Sequence, residues 1–125
     1  MIDFLEHLGK DKIIEILDLS YSALQTEGFL FLRVINADNP IFGRFLYHDF
    51  THETPFTPDT LQQCLTLTGF EVVKIAYEVL PSLNSSLIAR FKRKIQRVGL
   101  WALAKFLEIP PNAFTEDLIA VGRRR

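Results

Sequence analysis

The 125-residue chain has a single cysteine, Cys64, so no internal disulfide can form and a reducing, cytoplasmic location is the default expectation. Its six glycines are Gly9, Gly28, Gly43, Gly69, Gly99 and Gly122, and no two lie within ten residues of each other. That spacing cannot build a glycine-rich loop of the kind that cradles a nucleotide or dinucleotide. No apolar run reaches the roughly 18 residues that a bilayer-crossing helix requires. The opening residues Met1–Glu6 carry acids and no basic stretch, which is unlike a signal peptide. No internal repeat, low-complexity tract or Pro/Gly/Ser linker divides the chain. A near-neutral total charge and the lack of a recognised motif argue against nucleic acid as a partner.

What is present suits one ordinary domain. The chain is 48% hydrophobic and 23% charged, enough for a core that folds without disulfides or metal. The net charge of −1 conceals an asymmetry: residues 1–81 hold 12 acids and 5 bases, while residues 82–125 hold 3 acids and 9 bases. Such a split fits either an anionic partner surface or two solvated patches of opposite sign.

Hydrophobic spacing predicts alternating helices and strands. Ile13, Leu17, Tyr21 and Leu24 recur at helical spacing and predict a helix over 11–26, capped by Asp11 and stopped by Gly28. Residues 28–36 are apolar except for Arg33 and predict a strand covered on both faces, as in a parallel sheet. Residues 37–57 lack a period and form a long, aromatic-rich loop with a short helix near 40–46. Thr57 and Pro58 open a second helix over 58–69, closed by Gly69. Partial alternation over 71–80 predicts an edge strand, with Val73, Ile75, Tyr77 and Val79 on one face. Residues 84–107 predict a basic amphipathic helix. Leu87, Phe91, Ile95, Val98 and Ala102 form its apolar stripe, opposite Arg90, Arg93, Lys94 and Arg97. Gly99 is a point where it could kink, and Pro110-Pro111 ends it. A last strand covers 117–123. The order indicates an α/β domain.

The densest polar cluster is His48-Asp49-Phe50-Thr51-His52-Glu53. On a helix, His48 and His52 would share a face at a spacing compatible with zinc, with Asp49 or Glu53 as a third ligand. The segment reads as loop and lacks the His-Glu-x-x-His order, so no metal is assigned to it. His48 and His52 are better placed as pocket residues over the C-terminal end of the 28–36 strand, where open α/β sheets bind ligands. Asn36, at the end of that strand, and Tyr47 would join them. Cys64 sits on an apolar helix face and reads as an inert thiol.

In sequence order, the chain also resembles the C-terminal half of the class I S-adenosylmethionine-dependent methyltransferases. Asp3-Phe4-Leu5-Glu6-His7-Leu8 resembles the acidic turn after that family's fourth strand. Leu24-Gln25-Thr26-Glu27-Gly28 resembles its "L-x-P-G-G" turn, with threonine and glutamate in place of proline and the first glycine. Val34-Ile35-Asn36 resembles its "V-P-N" strand end, with isoleucine for proline. His52–Thr57 followed by Leu61 and Gly69-Phe70 resembles its "H-x-x-x-F-T…L…G-F" stretch, and Leu118–Val121 its last strand. The resemblance implies that residues 1–125 form one partial, Rossmann-like methyltransferase domain of three strands, the last antiparallel between the other two. It implies S-adenosylmethionine as cofactor, a small-molecule methyl acceptor, His7 and His52 as candidate bases, and Glu6, Asn36, Tyr47 and His48 as acceptor-binding residues. The family's glycine-rich turn has no counterpart, so the isolated chain is expected to bind no cofactor and to be inactive alone. The implied partner is then a missing N-terminal half. The alternative is a non-catalytic α/β module that self-associates through the exposed edge of the 28–36 strand, or docks on an anionic membrane through the basic helix.

Overall fold

A computed structural model describes residues 1–78 and 87–125, and between 87 and 97 it describes the side chain of Ile95 alone. Helix α1 spans Lys10–Ala23, strand β1 Phe29–Ile35, helix α2 Phe42–Leu46, helix α3 Pro58–Leu67, strand β2 Glu71–Tyr77, helix α4 Leu87–Phe106 and strand β3 Asp117–Arg123. Short 3-10 turns occupy Leu5–His7 and Pro111–Phe114. The sheet order is β1-β3-β2, and β3 runs antiparallel to both neighbours, as the resemblance implies.

Local chemistry explains most of these boundaries. Thr57 and Thr60 cap α3 reciprocally: the Thr57 hydroxyl accepts from the Thr60 amide at 3.2 Å, and the Thr60 hydroxyl accepts from the Thr57 amide at 2.9 Å. Pro58 fills the first helical position, where its missing N–H costs nothing. Gly69 ends the helix at φ +87°, with the Tyr21 ring 3.3 Å from where a Cβ would stand. Two expectations for α1 are corrected. Gly9 occupies the N-cap and Asp11 lies inside the first turn without capping it. After the helix it is Glu27, at φ 66°, that takes the left-handed backbone, while Gly28 is required because a Cβ there would meet the Gln25 carbonyl oxygen at 2.7 Å.

The core lies between one face of the sheet and helices α1 and α3. Ile13 and Leu17 from α1, and Leu61 and Leu65 from α3, pack on Leu30, Leu32 and Val34 of β1 and on Leu118 and Ala120 of β3. Leu5, Phe56 and Phe70 close its ends. Strand β1 therefore alternates and is not covered on both faces: Phe29 and Phe31 are 49% and 59% exposed on the side away from α1 and α3. Nor is it parallel to its sheet neighbour β3. Its outer edge is partly occupied. Met1–Asp3 lie parallel beside it, with the Arg33 amide donating to the Met1 carbonyl at 3.1 Å and the Asp3 amide to the Arg33 carbonyl at 3.2 Å.

The expected alternation of β2 is broken by an irregularity between Val72 and Lys74 in the pairing with β3. A bulge shifts the side-chain parity by one, so Val72 packs on the core and Val73 faces solvent, while Ile75 and Tyr77 still point inward. Val79 and residues 84–86 of the expected helix lie outside the described residues. So do the side chains of Leu87, Phe91 and the basic residues Arg90, Arg93, Lys94 and Arg97. The part of α4 that is described is continuous through Gly99. It rests on the Pro111–Phe114 turn, buries Ala104, and leaves Ile95, Val98, Trp101 and Phe106 exposed. No helix among the described residues is long and apolar enough to cross a membrane.

Leu118, fully buried on the central strand, anchors the core, and its replacement by alanine is expected to cost about 2–5 kcal/mol in urea unfolding. Val73→Ala, at the bulge, is expected to change stability by no more than about 0.5 kcal/mol. Comparable losses for the two variants would contradict the bulged register.

Candidate functional site

At the C-terminal end of β1 and the N-terminal end of β3 lies an open cavity of about 540 Å³. Four separate segments line it: Asp3, Glu6 and His7; Arg33 and Ile35; Arg44, Phe45, His48, Asp49 and His52; and Glu116 and Asp117. Opposite charges hold this rim. The Arg33 guanidinium forks onto the Asp3 carboxylate, with Nε donating to Oδ1 at 2.7 Å and Nη2 to Oδ2. It also reaches Glu78 at 3.8 Å. The hydrogen bonds from Arg33 hold the Asp3 carboxyl below the ordinary carboxylate range.

Two histidines meet over this cavity, their ring centroids 4.6 Å apart. His7 ends the first 3-10 turn, and its Nδ1 lies 2.8 Å from the Thr51 hydroxyl. That hydroxyl spends its own hydrogen on Asp49 Oδ1 at 2.7 Å, so it accepts from His7 Nδ1–H. Asp49 also accepts from the Thr51 amide at 2.8 Å, and these bonds lower its pKa. His52 Nδ1 lies 3.1 Å from the Leu46 carbonyl and 3.3 Å from the Phe45 carbonyl. Carbonyls only accept, so His52 Nδ1 carries the proton. In both rings Nδ1–H is thus committed to a fixed acceptor, and Nε2 is the nitrogen with no assigned partner among the described residues.

Glu6 is 2% exposed, and its Oε2 meets no donor among the described residues. Burial raises its pKa, reinforced by Asp3 and opposed by its own backbone and by His7 and His52. One ligand atom from each of Glu6, His7 and His52 lies within 4.8 Å of the other two. The Glu6 backbone carbonyl meanwhile accepts from the Glu53 amide at 2.7 Å and the Thr54 amide at 3.0 Å, tying the 3-10 turn to the long loop.

The sequence-predicted site residues therefore separate into two groups. Glu6, His7, His48 and His52 line one cavity. Asn36 does not: it is fully buried, its Nδ2 donates to the Ala113 and Thr115 carbonyls at 2.8 and 3.0 Å, and its Oδ1 accepts from the Asp38 amide at 3.0 Å. Its hydrogen-bonding capacity is spent on the backbone. Tyr47 is 82% exposed and also stands outside the lining. Helix α2 ends at Leu46, so His48 and His52 do not share a helix face. Asp3, Arg33, Glu116 and Asp117 were missed. Their one sequence signal is Arg33, the only charge within an otherwise apolar strand.

Four glycines bear on whether the described residues could cradle a nucleotide cofactor. Gly28 sits against Gln25, Gly69 against Tyr21 and Gly122 against the Phe70 ring, while Gly99 lies mid-helix. Each serves local packing or stands alone, and no two gather at a helix N-terminus. The described residues do not fit a cofactor cradle.

A solved structure, a SAM-dependent methyltransferase from Archaeoglobus fulgidus, resembles this chain with a TM-score of 0.69 and 22% identity. The similarity covers 98% of this chain and 57% of that one, so the chain spans little more than half the neighbour's length. No family model and no curated protein matches the chain.

Burial pushes the Asp117 carboxyl up to about 6, with Arg33 opposing and Asp3, Glu78 and Glu116 adding to the rise. The folded state holds this proton more tightly than the unfolded chain, whose value is about 3.8. The carboxyl's ionisation thus removes stability as pH rises from about 4 through 6. Because the group is only half-buried, Asp117→Asn is expected to stabilise the chain by about 1 kcal/mol at pH 7.5, roughly 4 °C in Tm. The gain should vanish below pH 4 in thermal melts, and a gain independent of pH would contradict the assignment.

Proposed function

We propose that this chain is the acceptor-side, C-terminal portion of an S-adenosylmethionine-dependent methyltransferase acting on a small molecule, and that it transfers no methyl group alone. The observation that carries the reading is the coincidence of two facts. The fold matches that of a SAM-dependent methyltransferase across nearly all of this chain but only 57% of the neighbour. The polar cavity lies where β1 ends, the position at which open α/β sheets receive ligands.

On this reading the chain's own residues handle the acceptor. The free Nε2 of His7 or His52 takes the proton from an acceptor hydroxyl or amine, and the fixed Nδ1–H bonds hold each ring in the orientation that this requires. Arg33, locked by Asp3, and His48 bound the space that the acceptor occupies. The cofactor would be held by strands that pair beyond Met1–Asp3 on the outer edge of β1, in a region that these residues do not supply.

A second reading, a module that binds itself or another partner, is favoured by exposed Phe29 and Phe31 on β1 and by Trp101 and Phe106 on α4. It includes docking of the basic helix on an anionic membrane. Concentration-dependent dimerisation in light scattering, or salt-sensitive sedimentation with anionic vesicles, would support it.

The discriminating experiment is calorimetric titration of S-adenosylmethionine into two proteins. One is the isolated chain. The other is a chimera in which the N-terminal part of the Archaeoglobus methyltransferase precedes it. No heat from the chain and micromolar binding by the chimera are expected. Micromolar binding by the chain alone, or none by a folded chimera, overturns the proposal.

A further inference from the structure

We propose that Glu6, His7 and His52 form a binding site for one divalent transition-metal ion of the zinc class, with its open coordination positions turned into the cavity. The proposal does not depend on methyl transfer and competes with the base role for the same atoms: a metal held by both Nε2 atoms would leave neither imidazole free to take a proton. The proposal differs also from the His48/His52 pairing that the sequence suggests, since His48 is not among the clustered donors.

Three observations converge on it. First, the donor set is two imidazoles and one carboxylate, a combination that suits zinc, cobalt, iron or manganese and leaves further positions open. Second, both imidazoles are already in the tautomer that a metal needs. His7 donates through Nδ1 to the Thr51–Asp49 pair, and His52 donates through Nδ1 to backbone carbonyls. Each Nε2 is left as a free ligand, and metal-bound histidines are commonly oriented by such a bond from the other nitrogen. Third, the carboxylate is unsatisfied: Glu6 is 2% exposed and its Oε2 has no donor among the described residues. A buried carboxylate oxygen without a partner costs free energy, and two further lone pairs beside it raise that cost. A cation relieves all three at once.

The spacing is close to what binding demands. One donor atom from each residue, an imidazole nitrogen or a carboxylate oxygen, lies within 4.8 Å of the other two. Metal–ligand bonds of about 2.0–2.2 Å place donor atoms a little over 3 Å apart, so closure needs a movement of about an ångström in these side chains. The 540 Å³ cavity in front of them leaves room for a ligand oxygen or nitrogen to complete the coordination. An acceptor hydroxyl bound there would lose its proton more readily, as metal-bound water does.

Cobalt(II) is the probe, titrated into the full chain carrying Cys64→Ser, so that no thiolate contributes to its visible absorption. One equivalent per chain, giving a visible band that zinc abolishes, is expected. Glu6→Gln and His52→Ala should each weaken binding by about 100-fold or more. Zinc should also raise the Tm of the unsubstituted chain, a readout that survives if a variant fails to fold. Absence of the band and of the Tm rise at millimolar metal overturns the proposal. So does a band that persists in both folded variants, which would place the metal on other groups. Neither outcome bears on cofactor binding by the chimera.

Discussion

Strand β3 is hydrogen-bonded along both edges, and the arrangement of the rest follows from that constraint. Pairing with β1 runs from Asp117 opposite Ile35 to Arg123 opposite Phe29, and pairing with β2 runs from Leu118 opposite Tyr77 to Arg123 opposite Glu71. A central strand antiparallel to both neighbours places its own beginning beside their ends. Glu116 and Asp117 are therefore brought against the end of β1, and the residues that follow β1 turn over the same spot. The far end is tied equally firmly. Arg123 and Arg125 reach Glu71, and their hydrogen bonds pull its carboxyl down to about 2. Small residues on the inner face of β3 let α3 approach: a Cβ at Gly122 would stand 3.2 Å from the Phe70 ring and 3.3 Å from Leu65.

The cavity is consequently a meeting of segments far apart in sequence, and its polarity needs explaining. Backbone pairing fixes the positions of Asp3 and Arg33, since residues 1–3 lie parallel beside β1. Their ion pair is half-exposed, and its worth lies more in geometry than in stability. Asn36 and Asn39 perform the complementary task out of sight. Both are buried, and both donate to the Thr115 carbonyl, at 3.0 and 3.1 Å. Asn39 Oδ1 also accepts from the Ile41 amide at 3.0 Å, and Tyr77 donates to Asp38 at 2.8 Å. These bonds satisfy backbone groups that the chain must bury as it leaves β1, and they hold the long loop so that His52 returns to face His7.

The parts of this fold that were legible in the sequence are those decided by neighbours in sequence. The Thr57-Pro58 start of α3, its stop at Gly69, the strand at 117–123 and the short helix near 40–46 all follow from local chemistry. The middle strand order followed only from the resemblance. What escaped was decided across the chain. The Val72/Lys74 irregularity depends on how β2 meets β3, and no residue near 73 announces it. Continuous apolarity in β1 suggested burial on both faces, but composition cannot say whether a second layer exists to cover Phe29 and Phe31. Asn36 was read as a site residue because it ends a strand. Strand ends also need their backbone groups satisfied, and that demand claimed its side chain. His7 and His52 were found separately, one through the resemblance and one through the polar cluster. Their meeting was invisible because 45 positions separate them in sequence.

The charge asymmetry along the chain acquires a structural meaning from the same topology. The acids of the first 81 residues are not spread evenly. Asp3, Glu6 and Asp49 converge on the cavity, where Glu116 and Asp117 join them, against only Arg33 and Arg44 among the permanent cations. Arg33 is already engaged by Asp3 and Glu78. A cavity with this balance holds an excess of negative charge unless protons or a cation enter it; burial is the main cause of the raised values at Glu6 and Asp117, and repulsion from neighbouring carboxylates adds to it. Such a field attracts cations and neutral proton donors and repels carboxylates and phosphates. A ligand entering this space is accordingly expected to be cationic or to present a neutral proton donor such as a hydroxyl.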